Sequence, residues 1–218
     1  MELVRTANAG VLLKLDGVSI LLDGVCREIK PYLATPPDIR AALCADLPDA
    51  VAYTHAHKDH YDPVFAAAYQ RQKNGVILGP ADLPGCKASA LPAEISGVKL
   101  TPVPSRHIGA AGKNVSHMSF IIEGSSCVWF LGDASPFVWK DRGEFPSPDV
   151  LIVPYAYATT RAGWSLTQKL APKAVVLLHM PLREQDEIGL WAAVDETTRV
   201  QKICGFLKWG RRSFCKGE

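Results

Sequence analysis

Several things are missing from the sequence, and each absence removes a class of function. No apolar run approaches the roughly 20 residues of a membrane-spanning helix. Glu2, Arg5, Lys14 and Asp16 interrupt the N-terminal stretch where a secretion signal would carry its apolar core. The expectation is a cytoplasmic protein. Charge of one sign is also lacking: 24 basic and 22 acidic side chains leave a net charge of +2, so no broad field attracts nucleic acid or a membrane surface. The six cysteines include no Cys-x-x-Cys pair, and a chain of 218 residues buries enough surface to fold without staples, so a disulfide framework is not expected. Gly-x-Gly-x-x-Gly and the phosphate-loop pattern are absent. Gly109-Ala110-Ala111-Gly112-Lys113 has neither the spacing nor the following Ser or Thr.

What is present begins with a hairpin signal. Val11 to Leu15 and Val18 to Leu22 are apolar stretches separated by Asp16-Gly17. Ser119 to Ile122 and Cys127 to Leu131 repeat the design around Glu123-Gly124-Ser125-Ser126 and end on Gly132-Asp133. The likeness is compatible with chance or with a duplicated half. Ala50 to Tyr53, Gly75 to Leu78, Val98 to Val103, Val150 to Val153 and Ala174 to Leu178 read as further strands. Helices are expected from Asp62-Pro63 to about Lys73, with Asp62 as cap, and over Ser165 to Leu170 and Glu184 to Val194. Strands alternating with helices imply an α/β layer protein, and no linker divides residues 1–218, which read as one domain.

Histidine is scarce and concentrated. Of six, three fall in His55-x-His57-x-Asp59-His60, where a strand ends and a capped helix begins. His107, Asp133 and His179 each follow a strand, the place where open α/β sheets put their sites. Imidazole and carboxylate are ligands for zinc and similar ions, and two His one residue apart point the same way on extended backbone.

This ordered set, His55-x-His57-x-Asp59-His60, His107, Gly132-Asp133 and His179, resembles the metallo-β-lactamase superfamily, over nearly the whole chain. The resemblance implies an α/β fold, a four-layer αββα sandwich of two similar halves. It implies two divalent metal ions, zinc first, with manganese or iron compatible. His55, His57 and His107 would hold one ion, Asp59, His60 and His179 the other, and Asp133 would bridge them. A metal-bridged hydroxide would then hydrolyse an ester, lactone or phosphoester of a small molecule, with Asp59 able to orient it or accept its proton. The text around His107, Asp133 and His179 is similar to the ascorbate-6-phosphate lactonase branch. Glutamate at the place of His57 would mark the flavodiiron branch, and it is not there.

Other residues have a weaker claim. His117 could line the cleft as a general acid or hold a substrate oxygen, or be a strand-end histidine satisfied by a neighbour. Arg106, Arg161 and Arg183 are candidates to grip a carboxylate or phosphate, and Tyr155 and Tyr157 to wall the cleft. The basic and aromatic stretch Lys208 to Lys216 reads as a solvated tail, though it keeps open a phosphodiesterase or nuclease acting on RNA. A metal-dependent sensor is the remaining alternative. A small-molecule substrate is expected in preference to nucleic acid or membrane, and the oligomeric state is open.

Overall fold

The computed structural model describes residues 1–109, 112, 114–139, 145–181, 183–187 and 189–200. The C-terminal stretch Lys208 to Lys216 lies outside them. The first sheet is formed by β1 (Glu2–Arg5), β2 (Val11–Leu15), β3 (Val18–Leu22), β4 (Ala50–Ala52) and β5 (Val76–Leu78), side by side in that order. The second runs β6 (Ala93–Ile95), β7 (Val98–Arg106), β8 (Ser116–Glu123), β9 (Cys127–Phe130), β10 (Val150–Pro154) and β11 (Ala174–Leu178). Helices α1 (Pro37–Ala45) and α2 (Pro63–Lys73) belong to the first half, and α3 (Ala156–Thr159), α4 (Arg161–Leu170) and α5 (Leu190–Val200) to the second.

Side-chain alternation builds the layers. Leu13, Leu15, Ile20, Leu22, Ala50 and Ala52 of the first sheet meet Leu100, Phe120, Ile122, Phe130, Ile152 and Val176 of the second in one core between the sheets. Their neighbours face the other way. Leu21, Val51 and Ile77 pack on Leu43 of α1 and on Phe65 and Tyr69 of α2. Ile121, Trp129, Leu151, Val153 and Val175 pack on Tyr157, Leu166, Leu190 and Val194 of α3, α4 and α5. The order is helix, sheet, sheet, helix.

The two halves repeat each other in detail. Along β1 to β5 two antiparallel pairings are followed by two parallel ones, and β7 to β11 follow the same scheme, with β6 added at the edge. A matched device starts each parallel strand. Asp49, just before β4, accepts from Ser19 N at 2.9 Å and pairs with Lys73 at 3.1 Å. Asp149, just before β10, accepts from Cys127 N at 2.7 Å and pairs with Lys173 at 2.6 Å. The hairpin turns are also tied together, because Asp16 accepts from the backbone N–H and the hydroxyl of Ser125.

Element boundaries differ from the sequence reading where local signals mislead. The capped helix is found as α2, with Asp62 accepting from Val64 N. The helix expected over Glu184 to Val194 is broken at Gly189, whose φ of +70° leaves a short 3-10 turn at Arg183–Gln185 and delays α5 to Leu190. The helix of the β10–β11 crossover starts earlier than expected, because Thr160 caps it by accepting from Gly163 N. Helix α1 was not anticipated, since Pro36-Pro37 reads as loop although proline is accepted in a first helical turn. No helix among the described residues is long and apolar enough to cross a membrane.

Two outcomes test this construction. Hydrogen bonds hold the Asp49 carboxyl below its ordinary pKa, with Ser19 the first donor, and Lys173 and Cys127 do the same for Asp149. A lowered folded-state pKa stabilises above the unfolded value, about 3.9, and the gain is lost as pH falls through the folded value. Asp149→Asn therefore costs about 1 kcal/mol or less near pH 7, and in denaturant titrations the difference from wild type shrinks as pH falls through the lowered folded-state value. Gly132 has a φ of +53°, and a Cβ there would lie 2.4 Å from the Thr54 methyl. Gly132→Ala should lower stability by about 2 kcal/mol or more in the same assay.

Candidate metal centre

Strand ends deliver the polar groups to one place. The backbone leaves β4 as Thr54-His55, turns through His57, and enters α2 after Asp59 and His60. His107 follows β7, Asp133 follows β9, and His179 follows β11 in a left-handed conformation, φ +60°. Asp133 is aimed by Gly132, the glycine that lets the chain pass against Thr54. Ligand-capable atoms of His55, His57 and His107 lie within 4.8 Å of one another, as do those of Asp59, His60 and His179. Asp133 stands between the trios, with carboxylate oxygens 3.5 Å from His107 Nε2, 3.4 Å from His60 Nε2 and 3.2 Å from His179 Nε2.

Hydrogen bonding fixes which imidazole nitrogen carries the proton. Thr54 spends its hydroxyl hydrogen on Asp23 at 2.6 Å, so its oxygen accepts from His55 Nδ1 at 2.9 Å. His60 Nδ1 donates to the Asp23 carboxylate at 2.7 Å, and His107 Nδ1 to the Ile108 carbonyl at 2.6 Å. The Asn8 amide faces His179 Nδ1 at 3.1 Å, and its Oδ1 is buried without a partner. Rotating that amide by half a turn makes Oδ1 the acceptor of the Nδ1 proton. Each of these four rings then presents a bare Nε2.

A set of inward lone pairs needs something to receive them. His55 Nε2, His107 Nε2 and Asp133 Oδ1 are buried with no hydrogen-bond partner. His60 Nε2 and His179 Nε2 face each other at 2.7 Å, a contact that repels unless a cation or a proton lies at it. Unpartnered buried acceptors cost about 1–3 kcal/mol each. The donor set fits divalent metal: imidazole and carboxylate, with second nitrogens anchored as is usual for metal-bound histidine.

The charges respond to one another. Burial disfavours the His60 cation, yet Asp133 and Asp23 outweigh it and hold the ring well above its ordinary pKa, so an ion bound there would take the place of a proton on Nε2. Burial also opposes ionisation of Asp133, but His179 and His60 hold that carboxyl well below its usual range. His55 is pushed well down by burial and by the neighbouring His60 and His117.

The remaining expected residues are distributed unevenly. Asp59 has an oxygen 3.7 Å from His179 Nε2 and 3.9 Å from His60 Nε2. His117 lies beside His55, but burial pushes its pKa to about 3 and its Nδ1 hydrogen is engaged by Ser105 at 2.8 Å. It is neutral at working pH and has no acidic proton to give, which argues against the general-acid role. Arg106 is exposed next to His107. Arg161 borders an apolar cavity of about 520 Å³ with Pro136, Phe137 and Leu166, whose lining includes none of the histidines. Arg183 pairs with Asp195 at 3.2 Å and stacks on Trp191, so its charge is engaged at α5. Tyr157 is buried and donates to the Ala134 carbonyl at 2.8 Å, bracing the segment after Asp133 in place of walling a cleft. Tyr155 is half-buried.

Three site residues escaped the sequence reading. Tyr32 sets its ring edge against His179, centroids 4.9 Å apart. Nothing in Lys30-Pro31-Tyr32 signals that. Asn8 is equally silent. Asp23 could have been found, because Leu22-Asp23-Gly24 closes the first hairpin as Leu131-Gly132-Asp133 closes the second.

Comparison with known proteins agrees with this geometry. The family model of the β-lactamase superfamily domain matches residues 6–179. Among curated proteins none matches. The fold is similar to that of a metallo hydrolase from the archaeon Ignicoccus hospitalis, with TM-score 0.67 and 17% identity over 100% of this chain and 98% of that one. It is similar to an isothiocyanate hydrolase from Delia radicum gut bacteria, with TM-score 0.69 and 15% identity over 100% and 99%. A metallo-β-lactamase fold protein from Bacillus subtilis, YhfI, superimposes with TM-score 0.61 and 15% identity over 98% and 97%. The chain belongs to the β-lactamase superfamily and has the metallo-β-lactamase fold.

Proposed function

We propose that this protein is a metal-dependent hydrolase that takes two divalent ions, zinc by default, and cleaves an ester or lactone of a small molecule. The observation that carries the reading is the convergence of bare Nε2 atoms on the Asp133 carboxylate, with both nitrogens of His60 committed, one to Asp23 and one inward. His55, His57 and His107 would hold one ion, Asp59, His60 and His179 the second, with Asp133 shared. Bound ions of this kind supply a water nucleophile at neutral pH and polarise the oxygen of the bond to be cleaved.

The chain's own groups do the rest. Asp23, Thr54, Ile108 and Asn8 hold the ring protons away from the centre, so no histidine has to reorient when substrate arrives. Asp59 is the carboxylate placed to accept or direct a water proton beside His60 and His179. Tyr32 and Tyr155 offer the organic part of a substrate two aromatic side chains, and Arg106 a cation for a carboxylate or phosphate. A phosphodiester is the second substrate class compatible with the same centre.

Metal analysis of protein prepared without chelators should find close to two ions per chain, with hydrolysis of at least one member of a panel of lactones, thioesters and bis-aryl phosphodiesters. Metal-free, inactive protein would refute the reading. His179→Ala should lose one ion and more than about 100-fold in kcat/KM. Asp23→Asn keeps the shape but gives up one carboxylate oxygen, and should weaken metal affinity roughly 10–100-fold by competition with a chelating dye.

A further inference from the structure

We propose that Tyr157 is a positioning residue of the metal centre: its phenol, through the Ala134 carbonyl, holds Asp133 and His107 in register with His179. The proposal rests on the metal-centre reading above. Tyr157 lies on α3 and belongs to neither trio of ligands. It is 1% exposed and donates to the buried Ala134 carbonyl at 2.8 Å. Ala134 is the point where two ligand-bearing strand ends are joined, because it pairs with His107 in an isolated antiparallel bridge. Ile108 N donates to the Asp133 carbonyl at 2.7 Å and Ser135 N to the Arg106 carbonyl at 2.7 Å, one bond on each side of that pair. A shift of Ala134 is therefore passed to both His107 and Asp133. The third strand end is tied from the other direction. Tyr155 N, two residues before Tyr157, donates at 3.1 Å to the carbonyl of Leu178, the residue before His179. The segment 155–157 thus runs from the neighbour of one ligand to the neighbour of another.

Small movements matter at this point. The Asp133 carboxylate lies 3.2 to 3.5 Å from three imidazole nitrogens, so a slight rotation of the peptide that follows it changes all three separations at once. Metal–ligand distances tolerate departures of only about 0.2 Å, and Asp133 is the group both ions would share. Phenylalanine would fill the same space on α3; what tyrosine adds is the one bond. Without it the Ala134 carbonyl is left buried and unpaired, and the peptide gains a reason to turn towards another donor. Tyr69 provides a matched control in the other half. It is fully buried and donates to a backbone carbonyl, that of Asp49 at 3.1 Å, but just before β4, at the far end of that strand from Thr54 and His55.

The test compares wild type, Tyr157→Phe and Tyr69→Phe as full chains, reading zinc affinity by competition with a chelating dye and the stability of the zinc-free protein by urea unfolding. Each variant gives up one buried hydrogen bond, so both should lose stability. Only Tyr157→Phe should weaken zinc binding, about 10-fold and for both ions. Unchanged affinity in Tyr157→Phe, or an equal loss in Tyr69→Phe, would overturn the proposal and leave the metal centre standing. If Tyr157→Phe does not fold, 3-fluorotyrosine at position 157, a stronger donor of nearly the same shape, should shift zinc affinity where the same replacement at position 69 does not. No shift at position 157, or an equal shift at both positions, would overturn it in the same way. Wild type that takes up no zinc would overturn both readings.

Discussion

A single carboxylate shut away from water organises this centre. Asp23 is fully buried at the end of β3 and accepts from Thr54 N at 2.7 Å, Thr54 Oγ1 at 2.6 Å and His60 Nδ1 at 2.7 Å. A buried anion is tolerated only when it is fully bonded, so these three donors have little freedom. Through Thr54 the constraint passes to His55, and through His60 to the contact with His179 and Asp133. Burial outweighs the bonds from His60 and Thr54 and raises the Asp23 pKa, and the nearest proton is the one on His60 Nδ1, 2.7 Å away. One charge thus fixes two rings, and the remaining anchors are local: a carbonyl for His107, an amide for His179 and a serine pair for His117.

The duplicated architecture explains why such a network can be assembled at all. Equivalent strand ends in the two halves carry Asp23 and Asp133, and they are used differently. The first is withdrawn into the protein as an anchor. The second, after Gly132, stands among the histidines. Matched ties at Asp49 with Lys73 and at Asp149 with Lys173 start the parallel strands that bring both ends to the same rim. The rigid sandwich sets distances between side chains that lie more than a hundred residues apart, as His60 and His179 do. That is the form of preorganisation a metal centre needs, because its ligands meet without refolding.

Much of this was legible in the sequence, and for identifiable reasons. Period-two alternation and the two acidic-glycine turns announce the hairpins, and the cluster from His55 to His60 announces the chemistry, because five polar side chains on one turn have few other uses. Other features depend on long-range contact and leave no local trace. Tyr32 meets His179 across the whole fold, and Asn8 does so from the first turn of the chain. Arg183 and Tyr157 misled because proximity in sequence to a strand end says nothing about which way a side chain turns; one found Asp195 and Trp191, the other the Ala134 carbonyl. The break at Gly189 was hidden by the continuity of the helical pattern around it.

On the proposed function, the outward anchors preform two adjacent metal subsites sharing Asp133. Anomalous X-ray scattering at the zinc edge, from crystals of the full chain grown with zinc, is the decisive measurement. Two peaks are expected, one among His55, His57 and His107 and one among Asp59, His60 and His179, with Asp133 between them. No peak among these residues, or zinc bound only elsewhere on the molecule, would contradict it.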